Sequence, residues 1–157
     1  MSIHVIEKQI AENKNMPKDF HIYLNLTIDY IGEQFGKEAV REYLEEFAQE
    51  FYAPEIEKIK RDGLPALVSF IKKAYADENA QEYLSIVQTG NSILFQVKRC
   101  PAAEHINKCG YKASKYFVLT TSVVYDKIAK LSGLDFEMLS YSKTGAAKFR
   151  FARGVPV

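Results

Sequence analysis

The sequence predicts an α+β fold, with an antiparallel sheet of about four strands built from two hairpins and packed against several helices. Helical periodicity dominates residues 1–78, whereas residues 79–157 contain two pairs of alternating segments, each joined by a short turn. Such pairs are typical of hairpins and therefore of antiparallel sheets. Helical segments between the hairpins indicate helices on one face of the sheet. The 157 residues suit a single domain spanning 1–157.

The first half has the apolar spacing of amphipathic helices. Residues 18–35 and 37–52 each repeat apolar side chains three and four positions apart. Gly36 separates these two predicted helices, since glycine commonly ends a helix. The segment "RDGLP", residues 61–65, predicts a second break, and a further helix is expected over residues 65–75.

The two predicted hairpins alternate between apolar and polar side chains. The first is "QEYLSIVQTGNSILFQVKR", which turns at residues 89–92. The second consists of "LDFEMLSYS", a turn at "KTG", and "AKFRFAR". Period-two alternation places Phe149 and Phe151 on one face, with Lys148 and Arg150 on the other. Between the hairpins, helices are expected from Pro101 and over residues 112–131.

Composition excludes several classes of partner. There are 21 Lys and Arg against 20 Asp and Glu, a net charge of +1, so no strong field is available for nucleic acid or an anionic bilayer. The start "MSIHVIEKQIAENKN" lacks the apolar core of a secretory signal, and no apolar run reaches membrane-spanning length. We therefore expect a cytoplasmic protein with no nucleic-acid or membrane partner.

Cofactor motifs are also absent from the sequence. No GxGxxG or GxxxxGK[ST] pattern occurs, so nucleotide binding is not predicted. Two cysteines nine positions apart, with three histidines, do not form a zinc pattern. On one helix Cys100 and Cys109 would be separated by roughly 13 Å of rise, so no disulfide between them is expected. We predict neither a metal nor another cofactor.

The segment "KRCPAAEH" carries the main candidate for chemistry. Proline is favoured at the first helical position, so Pro101 predicts a helix that Cys100 caps. The positive helix end, with Lys98 and Arg99 adjacent, favours a thiolate and hence a reactive nucleophile. Glu104 and His105, one turn later, are candidates for a general base. The alternative is that Cys100 is buried filling and His105 a surface residue.

Other side chains are candidates for binding a substrate or, more simply, for structural roles. Thr120 and Thr121 interrupt the apolar segment "FVLTTSVVY" and could line a cavity, although threonine often bonds to its own helix carbonyl. Arg150 could hold a carboxylate with two hydrogen bonds, although a charge on the outer face of a sheet usually faces solvent. Cys109, beside Gly110, has no predicted role, and Cys100 is expected to be the more reactive thiol.

The chain resembles the family of L-2-amino-thiazoline-4-carboxylic acid hydrolases, most clearly in "FQVKRCPAAE" and "GAAKFRFAR". The resemblance implies a small cytoplasmic α+β protein that opens the aminothiazoline ring to give S-carbamoyl-cysteine. Cys100 matches the family's cysteine before proline, and Arg150 the arginine of its last strand. The family pattern has a further cysteine where this chain has "LTTS", and a Cys-Asp pair where it has Ala147 and Lys148.

Two hypotheses about function follow, and a third remains open. One is a hydrolase that opens a cyclic amidine C–N bond with Cys100 as nucleophile. The other is a non-catalytic domain of the same fold that binds or senses a small molecule. An oligomeric scaffold without a ligand is the third, and a homo-oligomer is compatible with any of them. A cavity beside Cys100 and its polar lining distinguish these hypotheses.

Overall fold

The computed structural model describes residues 18–154, and it confirms the predicted α+β class. Four helices come first, followed by a hairpin, two helices and a second hairpin. The helices are α1 (Asp19–Phe35), α2 (Lys37–Phe51), α3 (Ala53–Asp62), α4 (Leu64–Asp77), α5 (Pro101–Lys108) and α6 (Leu119–Ser132). The strands are β1 (Leu84–Thr89), β2 (Ser92–Val97), β3 (Leu134–Tyr141) and β4 (Ala147–Arg153), and a 3₁₀ turn at Gln81–Tyr83 leads into β1.

The four strands form one antiparallel sheet in the order β1-β2-β4-β3. Each predicted hairpin is present, as β1–β2 and β3–β4. The hairpins join through β2 and β4, where Phe95 lies opposite Phe149. This central pairing brings the strand that leads to Cys100 beside the strand that follows the second turn. The end of β2 and the start of β4 are therefore neighbours, because Val97 pairs with Ala147.

The sheet has one buried face and one exposed face, as the alternation predicted. Phe95, Phe149 and Phe151 are at most 1% exposed and pack against one another and against Tyr125 of α6. Lys148 and Arg150 are exposed on the opposite face. Burial of these three rings stabilises the packing of the sheet against the helices, since each aromatic side chain removes a large apolar area from water.

Residues 18–78 contain one more helix than the sequence predicted there. The predicted helix over 37–52 corresponds to α2, and α3 follows it almost directly. Pro54 lies in the first turn of α3, a position that proline favours, and the buried Ile56 and Ile59 hold α3 against the core. The predicted break at residues 61–65 is confirmed, because α3 ends at Gly63 and α4 begins beside it.

The helix predicted over 112–131 begins later, at Leu119, and this part of the prediction is wrong. The residues before it form a loop that is bound to α1 by side-chain hydrogen bonds. Asn25, 2% exposed, donates from Nδ2 to the Lys112 carbonyl at 3.0 Å and accepts from the Ser114 N–H at 2.8 Å. Ser114 Oγ also donates to Asp29 at 2.7 Å. These hydrogen bonds to α1 take the place of the backbone hydrogen bonds that residues 112–118 would make if α6 began earlier.

The structure tests only part of the predictions about targeting and membranes. Residues 1–15, which lack the pattern of a secretory signal, lie outside the described residues. Within residues 18–154, every helix is too short or too polar to cross a bilayer. This agrees with the composition, in which charged residues are spread along the chain.

Candidate functional site

Cys100 caps the N-terminus of α5, as the sequence predicted. Its backbone is extended, with φ −95° and ψ 112°, and Pro101 is the first residue of the helix. Its Sγ accepts a hydrogen bond from the Ala103 N–H at 3.5 Å. The thiol thus occupies the position that a serine or aspartate oxygen usually takes at a helix start.

The turn between β3 and β4 covers the thiol. A Cβ added to Gly145 would lie 2.5 Å from the Cβ of Cys100 and 3.5 Å from its Sγ, so only glycine permits this approach. Gly145 also has a φ of +82°, which side chains disfavour. Ser142 holds the turn, because its N–H donates to the Ala146 carbonyl at 2.8 Å and its Oγ accepts from the Ala146 N–H at 3.1 Å.

The electrostatics of Cys100 differ from the prediction. Burial raises the pKa of the thiol, and the N–H groups of Ala103 and Ala102 only partly offset this effect. The carboxylates of Glu104 and Glu78 raise the pKa further. The predicted lowering of this pKa is therefore wrong, because desolvation outweighs the helix end. Arg99 does not neutralise the site, since its guanidinium pairs with Glu104 and lies 5.1 Å from the Tyr83 ring centre.

Three tyrosines that the sequence did not single out lie near enough to this thiol to be affected by its charge. Burial raises the pKa of Tyr75, Tyr125 and Tyr141, in the last case to about 12, and the charge of Cys100 raises all three further. All three pack against the core with Cys100. They come from α4, α6 and the end of β3, so no local pattern links them. Their phenol groups supply polar atoms beside a largely apolar thiol site.

Glu104 and His105 have different surroundings. Glu104 accepts a hydrogen bond from the Tyr83 hydroxyl at 3.3 Å and pairs with Arg99. Its charge nevertheless raises the pKa of Cys100. The His105 Nε2 lies 3.3 Å from an Asp19 oxygen and 3.7 Å from the Cys109 Sγ. The contacts of His105 are thus with α1 and the other thiol, and the structure does not bring its ring to Cys100.

A second pair of titratable groups lies close to Cys100. His21 Nε2 and Glu78 Oε1 are 2.6 Å apart, with 19% and 15% of their side chains exposed, and they join the start of α1 to the end of α4. The hydrogen bond from His21 lowers the pKa of Glu78. Since Glu78 also raises the pKa of Cys100, this carboxylate is the second one whose charge reaches the thiol. His21 and Glu78 are 57 positions apart in the sequence, so no local pattern predicted this pair.

Two of the three predicted binding residues have other partners in the structure. Thr120 donates to the Phe117 carbonyl at 2.7 Å, which is the structural alternative given above. Thr121, the next residue of α6, is half-buried. Arg150 lies on the exposed face of the sheet, opposite Glu137 in the register, and its guanidinium pairs with that carboxylate. An arginine directed to solvent and already paired is not placed to hold a ligand beside the thiol.

Two shallow depressions lie on the surface of the described residues, 18–154. The larger, of about 570 Å³, lies on α2 around Tyr43 and Phe47 and is distant in sequence from every predicted site residue. The other, of about 410 Å³, lies at the end of the sheet, and it adjoins the Cys100 junction through Tyr141 and Ala146. Cys100 lines neither. We consider the second more relevant, because Tyr141 and Ala146 in its lining adjoin the turn and the strand end beside Cys100. Its lining is Gln96, Val97, Lys98, Ser140, Tyr141, Ser142, Ala146, Ala147 and Lys148.

Lys98 and Lys148 give this depression a positive charge. Within the described part of the chain, neither ammonium has an ion-pair partner among the carboxylates. Ser140, Ser142 and Gln96 add hydroxyl and amide groups. Ammonium groups and neutral donors together suit a small anion. The sequence showed Lys98 only as a neighbour of Cys100, and it gave no sign that Lys148 would join it.

The comparisons with known proteins give no indication of function, and neither does the arrangement of possible metal ligands in the described residues. No protein-family model matches the chain, and no curated protein matches it. Among residues 18–154, no three His, Cys, Asp or Glu side chains come together in a group that could hold a metal ion.

Thiol labelling tests the electrostatics of the site. Cys109 is exposed, whereas Cys100 is half-buried and its pKa is raised, so we now expect a limiting alkylating agent to label Cys109 first. The labelling rate of Cys100 should still be rising above about pH 8.5, the usual range of a free thiol. Mass spectrometry of digested samples measures both rates. Cys109→Ser should remove the fast reaction, and both thiols should react alike in urea. Faster labelling of Cys100 at neutral pH would contradict this prediction.

Proposed function

We propose that this protein binds a small carboxylate-bearing molecule in the depression beside Cys100, as a ligand-binding domain of the aminothiazoline-carboxylate hydrolase type. The observation that carries the proposal is the presence of two ammonium groups, Lys98 and Lys148, in a depression of about 410 Å³. The depression is open rather than enclosed, so a ligand there would be held mainly by its charge. The resemblance noted above suggests an aminothiazoline carboxylate as the first compound to test.

The position of each group supports this assignment. In this proposal the ligand carboxylate pairs with Lys98 and Lys148, and the same depression is lined by Ser142 and Ala146, which belong to the turn that covers Cys100. Tyr141 lines the depression, and the charge of Cys100 contributes to the raised pKa of its phenol. The lysines thereby take the anchoring role that the sequence analysis assigned to Arg150.

Cyclic amidine hydrolysis by Cys100 is the second candidate function. It is favoured by the Ala103 N–H bond to Sγ and by the charge of Glu104 near the thiol, a carboxylate that could accept the thiol proton. Sγ would attack the amidine carbon, and the ring C–N bond would break as its nitrogen takes a proton. Water would then displace Sγ and leave a thiocarbamate. The raised pKa of Cys100 and the outward position of His105 make this candidate the weaker one.

Calorimetric titration with L-2-amino-thiazoline-4-carboxylate tests the binding proposal. The unsubstituted 2-aminothiazoline, which lacks the carboxylate, should bind more weakly. Replacing both lysines, Lys98→Gln with Lys148→Gln, should weaken binding by about 1 kcal/mol, roughly fivefold, because exposed ion pairs contribute up to about that much each. The matched control replaces the exposed Lys58 and Lys72 instead and should leave affinity unchanged.

The same samples separate the two candidates. If the protein only binds, no S-carbamoyl-cysteine forms over hours, and Cys100→Ser leaves affinity nearly intact. If it is a hydrolase, product accumulates and Cys100→Ser abolishes turnover, while the lysine variants raise KM more than they lower kcat. Equal affinity for both thiazolines, or no effect of the lysine variants, would exclude the depression as the binding site.

A further inference from the structure

The second cysteine, Cys109, lies in a cluster of titratable side chains that the proposed function does not use. Cys109 is exposed and follows the last residue of α5, and His105 precedes it by one helical turn. Positions four apart share a helix face, and the His105 Nε2 lies 3.7 Å from the Cys109 Sγ. A thiol in contact with an imidazole is the arrangement that activates cysteine nucleophiles, because the ring can take the thiol proton.

The start of α1 adds a carboxylate to this pair. The Asp19 Oδ1 lies 3.3 Å from the same Nε2 of His105, and the His105 side chain is 21% exposed. Glu78 is near as well, since its pKa is lowered first by the hydrogen bond from His21 and further by the charge of His105. An imidazolium at His105 therefore has two carboxylates near it, and both favour the charged ring that forms when Nε2 accepts a proton.

We propose that Cys109 is a site of reversible thiol–disulfide exchange with small disulfides, and that His105 is its general base. Nε2 takes the proton of the thiol, and Sγ attacks one sulfur of the disulfide. The S–S bond of the reagent breaks, and a new S–S bond joins half of the reagent to Cys109. The other half leaves as a thiolate that accepts the proton from the imidazolium. The cysteine is oxidised and the reagent is reduced, so one thiol is released for each disulfide formed.

The surroundings of the thiol leave room for this reaction. Gly110 follows it, and a Cβ added to Gly110 would meet no atom of the described residues within 4 Å. Cys100 lies at the other end of α5, half-buried beside Gly145, and cannot reach Cys109 to displace the added group. The chain has only these two cysteines. The mixed disulfide therefore persists until an external thiol reduces it, as expected of a modification site rather than of an oxidoreductase.

The position at the end of α5 makes the contact with His105 essential to the proposal. The C-terminal end of a helix carries partial negative charge and disfavours a thiolate. Exposure alone would thus leave Cys109 less reactive than an ordinary surface thiol, whereas proton transfer to His105 predicts the opposite. The rate of exchange, compared with that of a surface thiol without a histidine, distinguishes the two.

Exchange with oxidised mercaptoethanol, a small neutral disulfide, tests the proposal on the full-length chain at neutral pH. Mass spectrometry of digested samples measures the rate at which Cys109 gains half of the reagent. The matched control is Ser69→Cys in a Cys109→Ser background, because Ser69 is exposed on α4 and the residue one turn before it is Pro65. We expect Cys109 to exchange at least about tenfold faster than the introduced thiol, and His105→Gln to remove that difference.

Further measurements separate a base from a structural residue. In urea, the wild type and His105→Gln should exchange at the same rate. In His105→Ala, added imidazole should accelerate exchange more than it does in the wild type, since it replaces the base without restoring any packing. Dithiothreitol should reverse the modification.

Three results would overturn the proposal. They are equal rates for Cys109 and the introduced thiol, an unchanged rate in folded His105→Gln, and faster modification of Cys100 than of Cys109. If His105→Gln does not fold, the comparison with Ser69→Cys still decides, because it keeps the native His105.

Discussion

Asn25→Leu should lower the free energy of unfolding by about 2 to 4 kcal/mol, because it leaves two partly buried backbone groups without hydrogen-bond partners. Asn25 donates to the Lys112 carbonyl and accepts from the Ser114 N–H, and leucine keeps a similar volume without either bond. These bonds hold the loop before α6, so the variant should also loosen residues 111–118. Urea denaturation followed by circular dichroism measures the change.

Two further variants show which property of Asn25 matters. Asn25→Asp can still accept from Ser114 but cannot donate to Lys112 when ionised, and it places a carboxylate four positions from Asp29 on the same helix. We therefore expect its stability to recover only at acidic pH. Gln34→Leu, at an exposed position of the same helix, should change stability by less than about 0.5 kcal/mol. If Asn25→Leu were as stable as Gln34→Leu, the loop would not depend on these bonds.

Local patterns predicted the strands well, because each depends on neighbours in sequence. Alternation over residues 147–153 identified β4, and it correctly placed Phe149 and Phe151 on the buried face. The cap at Cys100 followed from Pro101, which is adjacent to it. In each case, the residues that decide the structure lie within a few positions of one another.

The errors arose where contacts between distant segments decide the outcome. The start of α6 depends on the hydrogen bond from Asn25 to the Lys112 carbonyl. Asn25 lies 87 positions before Lys112, so no local sequence pattern predicts that bond. The pKa of Cys100 depends on burial by elements from across the chain, and this desolvation opposes the helix end that the sequence shows. Lys148 joins Lys98 only because β4 pairs with β2.

The turn between β3 and β4 connects the two parts of the candidate site. On one side it covers Cys100 through Gly145, and on the other Ser142 and Ala146 line the depression. Movement of this turn therefore changes the cover of the thiol and the shape of the depression together. A single position, Gly145, is in contact with Cys100 and is also required by the backbone conformation of the turn, which makes it the most sensitive point of the site.

Gly145→Ala should lower the free energy of unfolding by about 2 to 5 kcal/mol, for two separable reasons. A side chain at a φ of +82° costs about 1 to 2 kcal/mol, and overpacking against Cys100 adds about 1 to 3 kcal/mol. Gly90→Ala is the matched control. Gly90, in the β1–β2 turn, also has a positive φ of +56°, but an added Cβ there meets no atom within 4 Å. The control should show the conformational cost alone.

A double-mutant cycle on Gly145 and Cys100 isolates the contact between them. The nearest atom to the added methyl group is the Cβ of Cys100, at 2.5 Å, so Cys100→Gly should restore part of the stability lost by Gly145→Ala, whereas Cys100→Ser, which keeps that Cβ, should not. Chemical denaturation of the four variants gives the coupling. In Gly145→Ala alone, displacement of the turn should also expose Cys100, so that its alkylation accelerates. Equal losses for Gly145→Ala and Gly90→Ala, with unchanged alkylation of Cys100, would show that the turn does not press on the thiol.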